Sequence, residues 1–164
     1  MKKRYDIVIV GGGMTGLTIA ALLANGKYAE AMRLTVIDAA PRPRFDPDDD
    51  IGLRVSAIAT GSAEILDALG AWESVVGTRV CPYEHMRVWD GADDPNGPST
   101  LRFDADEFAV PQLGFIVENL LIQNALLKVL DRTDVNQRFD SPIRTIEKAG
   151  ATYRLQLEDG REMD

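Results

Sequence analysis

The stretch from Tyr5 to Asp38 constrains this chain more than any other part of it. Tyr5-Asp6-Ile7-Val8-Ile9-Val10 is a short apolar run rich in β-branched residues and is cut off at once by Gly11-Gly12-Gly13. Such a run predicts a buried parallel strand. Gly11, Gly13 and Gly16 then satisfy G-x-G-x-x-G, with Met14 and Thr15 inside the motif, and Leu17 to Ala24 are good helix formers up to the stop at Asn25-Gly26. Leu34-Thr35-Val36-Ile37 supplies a second strand, closed by Asp38.

Each motif glycine has a physical task. The first permits a tight turn, the second lets the backbone approach a pyrophosphate, and the third lets the helix pack on the strand. The helix N-terminus offers free N–H groups and a partial positive charge to the anion. Asp38 lies 22 residues beyond Gly16, at the end of the second strand, where a carboxylate accepts hydrogen bonds from a ribose hydroxyl. An acid there disfavours a 2′-phosphate, so the ligand is FAD or NAD rather than NADP. Strand, glycines, helix, strand and acid together predict an α/β fold with a Rossmann-like βαβ core and a parallel sheet.

The totals exclude several classes. With 45% hydrophobic and 27% charged residues the 164-residue chain reads as globular, and a net charge of -8 argues against nucleic acid, whose phosphates need a basic surface. The lone Cys81 cannot form an internal disulfide, the apolar start is a strand broken by glycines rather than a secretory signal, and no run is long enough to span a membrane. Cytoplasmic residence is the expectation. One histidine, His85, and one cysteine, four residues apart, leave little for a metal or a nucleophile–base pair and read as a surface or strand-face histidine and a packing cysteine. The run Asp46-Pro47-Asp48-Asp49-Asp50 lacks the glycine punctuation of a calcium loop and reads as a solvated turn. No residue is assigned to catalysis and none to a metal.

Further along, residues 27–33 predict a loop with a helical turn and residues 39–50 a surface loop. Arg54 to Ala59 is extended, Ser62 to Leu69 an amphipathic helix ended by Gly70, and Ala71 to Val76 a short helix. Tyr83 to Asp90 alternates as one strand, with a hairpin partner at Ser99 to Phe103, which adds a small antiparallel portion. Gly114 to Val117 is a strand leading into a helix from Glu118 to about Leu130, with 122, 126, 127 and 130 on one face and Glu118 and Asn119 at its positive end. Val135 to Phe139, Ile143 to Lys148 and Ala151 to Leu157 are strands, and Asp159-Gly160 is a hairpin turn with only four residues after it. The expectation from that short end is an N-terminal piece of a larger two-domain fold.

The sequence resembles the ubiquinone-biosynthesis hydroxylases, FAD-dependent aromatic monooxygenases of the p-hydroxybenzoate hydroxylase class, and most of all their 2-octaprenylphenol hydroxylase branch. The residues that carry the likeness are Asp6 to Leu17, Leu53 to Ile58, Leu69-Gly70-Ala71-Trp72, Cys81 to Asp90 and Leu113 to Asn119. By that resemblance Gly11, Gly13 and Gly16 hold the FAD pyrophosphate, and Met14 and Thr15 between them are cofactor-binding residues. Asp38 holds the adenosine ribose, where the family more often has glutamate, and Arg54 reaches the cofactor. Asn119 and Gln123 approach it, and residues 80–117 begin the sheet of a substrate domain. The resemblance implies a parent enzyme that uses NAD(P)H and oxygen on a phenolic, polyprenylated substrate, in peripheral contact with the inner membrane or with partner enzymes. Later Gly-Ala-Asp-Gly and Gly-Asp segments that complete the family's flavin pocket are not among these residues, so the 164 residues alone are expected to be inactive. Two alternatives stay open here: another FAD-dependent oxidoreductase, and a nucleotide-binding module without catalysis.

Overall fold

The computed structural model describes residues 5–163 and divides into two compact units. The first runs up to Phe45 and resumes at Gln123; the second is residues 46–122.

The first unit opens with β1 (Tyr5–Val10), α1 (Met14–Ala24) and β2 (Met32–Ile37). β1 and β2 are parallel and in unbroken register from Tyr5↔Met32 to Val10↔Ile37. Parallel neighbours need a crossover, and α1 provides it, burying Leu17, Ala20 and Ala21 completely on one helical face. At the start of the ladder Arg33 Nε and Nη2 grip the Asp6 carboxylate at 2.6 and 3.0 Å, between residues that the register places side by side. The loop before β2 contains one 3-10 turn, Ala29–Ala31, as the sequence predicts.

In the second unit the order is β3 (Val55–Ala59), α2 (Thr60–Ala68), α3 (Trp72–Val76), β4 (Cys81–Tyr83), β5 (His85–Val88), β6 (Leu101–Asp104) and β7 (Gly114–Glu118). β7 lies at the centre of an antiparallel sheet, between β3 and β4. Gly114 makes that possible. A Cβ there would stand 2.5 Å from the Ile58 carbonyl oxygen and 2.8 Å from the Tyr83 hydroxyl, so only glycine lets both neighbours close on β7. α2 ends as the sequence predicts, with Gly70 left-handed and the N–H groups of Gly70 and Ala71 returning to the carbonyls of Asp67 and Leu66 at 2.8 and 2.9 Å. Ala63, Leu66, Ala71, Val75 and Val117 form the unit's core, and Trp72 meets Phe115 edge-on at 5.0 Å.

The single strand predicted over Tyr83 to Asp90 is in fact two. β4 pairs with β7, whereas β5 pairs with β6 in a separate two-stranded ribbon, and the break falls at Glu84, whose carbonyl accepts the Ala105 N–H at 2.9 Å. Alternation is a local property and carries no trace of a change of partner.

The unit boundary falls inside α4 (Asn119–Leu130), where Leu121, Ile122, Ala125, Leu126, Leu127 and Leu130 are all buried. Glu118 belongs to the end of β7, not to the helix start. Back in the first unit, β8 (Asn136–Arg138) lies parallel to β2 on the side away from β1, giving the order β1-β2-β8. β9 (Ile143–Ala149), β10 (Thr152–Leu157) and β11 (Glu162–Met163) form an antiparallel sheet, closed at the predicted turn by Gly160 with φ of 85°. β1 therefore has one strand neighbour among the described residues, and Val10 at its end is exposed, as are Ile19 and Leu22 on α1. No helix among these residues is long and apolar enough to cross a membrane.

Replacing Gly114 by alanine is expected to destabilise the chain by about 1–3 kcal/mol, the cost of forcing an atom into filled space. Chemical denaturation checks this, and an unchanged midpoint would show that β3 and β4 accommodate the methyl group freely.

Candidate nucleotide site

The glycine loop is built from the strand ladder outward. The Gly11 N–H donates to the Ile37 carbonyl at 2.8 Å, and Gly11 turns the chain with φ of 109°, a conformation side chains oppose. A Cβ on Gly16 would collide with the Gly11 carbonyl oxygen and sit 3.4 Å from Ile9 Cγ2, so the third glycine brings helix and strand together as expected. Gly13 is the N-cap of α1, and its carbonyl accepts the Leu17 N–H at 3.0 Å. No side chain caps this end, a Cβ on Gly13 would meet nothing within 4 Å, and the N–H groups of Gly13, Met14, Thr15 and Gly16 have no protein acceptor among the described residues. That is a mouth of donors with open space in front of it, the chemistry an anion needs.

Asp38 is the hub of this unit. Its backbone N–H donates to Arg138 at 2.8 Å and its carbonyl accepts from Ser141 at 2.9 Å, which ties the end of β2 to the exit of β8. Its carboxylate accepts from the Gly12 N–H at 2.5 Å and the Ala40 N–H at 2.7 Å. Two oxygens offer about four acceptor positions, so capacity remains for a ribose hydroxyl. Gly12, a residue the motif leaves unassigned, is confined on both sides: a Cβ there would lie 2.7 Å from Phe139 Cε1 and 3.3 Å from Asp38. Its carbonyl accepts the Gln123 amide at 3.0 Å. The structure thus brings Gly11 to Gly16, Asp38 and Gln123 together in one unit.

Arg54 and Asn119 lie in the other unit, and there they meet each other. The Asn119 N–H donates to the Arg54 carbonyl at 3.0 Å, and Ser56 Oγ donates to Asn119 Oδ1 at 2.6 Å. Arg54 is exposed and forms no ion pair among the described residues, so the surface salt bridge that the nearby aspartates invite is not made. Beside them sits a pair the sequence reading missed. Glu118, 6% exposed, accepts from Arg79 Nε at 2.5 Å and from the Gly52 N–H at 2.8 Å, while Arg79 Nη1 donates to the carbonyls of Pro47 and Asp49 at 3.1 and 2.9 Å. The loop that leads to Arg54 is therefore pinned from beneath. A glutamate closing an otherwise apolar strand was the available signal, because a buried carboxylate demands a counter-charge. The Arg79 hydrogen bond, against the opposing effect of burial, holds the Glu118 carboxyl below its ordinary value of 4.5.

Other polar clusters have plainer roles. Asp46 takes the N–H groups of Asp48 and Asp49 into a turn, at 3.0 Å through its carboxylate and 3.3 Å through its carbonyl. His85 pairs with Asp104 across the exposed ribbon at 2.5 Å. Cys81 is exposed on β4 and so is not the packing residue expected of it; Pro82 follows it and β4 is only three residues long. A depression of about 1020 Å³ lies beside the first halves of β1 and β2, near Asp6, Arg33 and Asn136, away from the carboxyl ends of the strands where open parallel sheets bind ligands.

The βαβ unit with its glycine loop and terminal acid is a Rossmann-like nucleotide-binding core, and residues 9–71 match the NAD(P)-binding Rossmann-like domain. Over nearly its whole length the chain is a homologue of the ubiquinone-biosynthesis hydroxylases. It is 38% identical to the ubiquinone biosynthesis monooxygenase COQ6 of Xenopus tropicalis over 97% of this chain and 35% of that protein. It is 33% identical to the 3-demethoxyubiquinol 3-hydroxylase of Escherichia coli over 94% of this chain and 38% of that protein. The chain thus spans little more than a third of the length of these relatives. Among solved structures it superposes on PqsL of Pseudomonas aeruginosa, a "probable FAD-dependent monooxygenase", with a TM-score of 0.65, 18% identity, and 97% of this chain and 40% of that one covered. It also superposes on the p-nitrophenol 4-monooxygenase PnpA of Pseudomonas putida with a TM-score of 0.66, 17% identity, and 99% and 38% covered.

Two outcomes follow from the Glu118 pair. Arg79→Met is expected to lower stability, because it leaves the Glu118 carboxylate, 7% exposed, without its cation. Since the folded-state pKa of Glu118 is depressed, its contribution is complete above the ordinary carboxylate value and is lost as pH falls through the lowered one. Glu118→Gln should therefore flatten the acid limb of stability against pH. Denaturation curves at neutral pH and near pH 3 check both, and parallel acid limbs in wild type and variant would refute the second.

Proposed function

We propose that this chain is the FAD-binding N-terminal portion of a flavin-dependent aromatic monooxygenase that hydroxylates a polyprenyl phenol in ubiquinone biosynthesis. The observation that carries the reading is the folding of the Asp38 carboxylate onto the glycine loop, in a chain homologous to ubiquinone-biosynthesis hydroxylases along nearly its full length.

The residues present fit FAD. The loop from Gly11 through Gly13, Met14 and Thr15 to Gly16 presents backbone donors and open space to a pyrophosphate, and Asp38 keeps acceptor capacity for the adenosine ribose. Arg54 and Asn119, fixed to each other through the backbone, serve the rest of the cofactor, and Gln123 stands behind the loop with its amide on the Gly12 carbonyl. Bound FAD supplies the redox chemistry, with NAD(P)H as reductant and oxygen as co-substrate, and the protein binds and orients it. This explains why no side chain here is assigned to catalysis: what these residues do is hold an anion, a ribose and a loop in place. Residues 80–117 begin the substrate-domain sheet of the full enzyme. An apolar prenyl tail suits peripheral contact with the inner membrane, where such a substrate resides. The 164 residues alone lack turnover, since they span little more than a third of the length of the relatives.

The full-length protein is expected to purify yellow and to oxidise NAD(P)H in the presence of a prenylated phenol, as absorbance spectra and hydroxylated product check; a colourless protein indifferent to FAD would sink the reading. The 164-residue chain should retain FAD only weakly. Stoichiometric, dialysis-resistant FAD in it would mean that these residues hold the cofactor by themselves.

A further inference from the structure

We propose that Gln123 is a positioning residue for the pyrophosphate cradle, acting through the Gly12 peptide rather than on the cofactor; the inference rests on the dinucleotide reading above. Gln123 lies one turn into α4, and its Nε2 donates to the Gly12 carbonyl oxygen at 3.0 Å. The Gly12 N–H is already held by Asp38 at 2.5 Å. Both polar groups of this one loop residue are thus fixed by side chains from distant segments, 26 and 111 residues further along the chain.

The consequence follows from the peptide plane. The peptide between Gly12 and Gly13 is planar and trans, so its C=O and its N–H point in opposite directions. Drawing the Gly12 oxygen toward α4 turns the Gly13 N–H the other way, and that N–H has no protein acceptor among the described residues. Gly13 is exposed, with nothing within 4 Å of where its Cβ would be. The free N–H is therefore held toward open space at the start of α1, where the first phosphate oxygen would sit. Two consecutive glycines leave this peptide unusually free to rotate. Rotated by half a turn, it would present a carbonyl oxygen to the phosphate and replace a donor with a repulsive lone pair. Gln123 opposes that rotation with a neutral donor, which a carboxylate or an apolar side chain of the same length cannot supply.

The test uses the 164-residue chain with Gln123→Met and Gln123→Glu, both near-isosteric and both lacking the donor. ADP, which carries the pyrophosphate, and adenosine, which does not, are titrated by amide chemical-shift perturbation up to tens of millimolar. The expected result is that ADP binding weakens about tenfold in both variants, the size of one lost hydrogen bond, while adenosine binding changes less than twofold. In the ligand-free variants the Gly12–Gly13 peptide should also be more mobile, read as a lower amide order parameter at Gly13, which a bond serving only to anchor α4 would not produce. Unchanged ADP affinity in both variants overturns the inference. So does equal weakening of ADP and adenosine, which marks a general structural role. If the wild-type chain binds neither ligand, the dinucleotide reading itself falls and takes this inference with it, an outcome distinct from the other two because it appears before any variant is made.

Discussion

The hydrogen bond from the Gly12 N–H to the Asp38 carboxylate joins the two ends of the βαβ unit, and much of the first unit depends on it. β1 and β2 run parallel, so the loop after one and the residue after the other emerge at the same edge of the sheet. Asp38 uses that coincidence. Its backbone holds β8 in place, and its side chain holds the loop that would receive a ligand. An acid at this position therefore serves the loop's own geometry, and the short aspartate side chain reaches the Gly12 N–H directly.

The second unit solves a related problem by charge. The segment from residue 46 to Arg54 has no regular structure of its own, yet the Arg79–Glu118 pair reaches three of its backbone groups, at Pro47, Asp49 and Gly52. Arg79 is partly open to solvent, with 26% of its side chain exposed, while Glu118 is buried. The geometry therefore retains the hydration of the cation and removes only the carboxylate from water, which limits the desolvation cost that buried ion pairs incur. Spacing alone could not reveal this device, because the partners stand on β7 and on the turn after α3.

The local grammar of the chain was legible from residues. Apolar runs closed by the glycines after Val10 and by Asp38 gave β1 and β2, Gly70 marked the end of α2, the 122, 126, 127 and 130 spacing gave the buried face of α4, and Asp159-Gly160 gave the last hairpin. Within the candidate site, Gly11 and Gly16 have the geometry their motif positions require, and Asp38 stands against the loop. What escaped were relations between distant segments. The exchange of partners at Glu84, the confinement of Gly12 by Phe139, the bond from Gln123 and the Arg79–Glu118 pair all depend on which surfaces meet. Periodicity and propensity describe one segment at a time, so these contacts have no signature in either.

The position of β1 at the rim of its sheet bears on how this chain behaves in a tube. A parallel strand of alternating isoleucine and valine, with its outer row of N–H and C=O groups unpaired among the described residues and Val10 at its end exposed, is the kind of surface on which other chains add as strands. It carries none of the lysines or prolines that usually blunt such a rim, and within the strand only Asp6, already engaged by Arg33, contributes charge. Mutual repulsion from a net charge of -8 opposes self-association, and it weakens as salt is added or as the pH approaches 4.7. Added salt is therefore expected to favour self-association of the isolated chain even where its fold is unchanged.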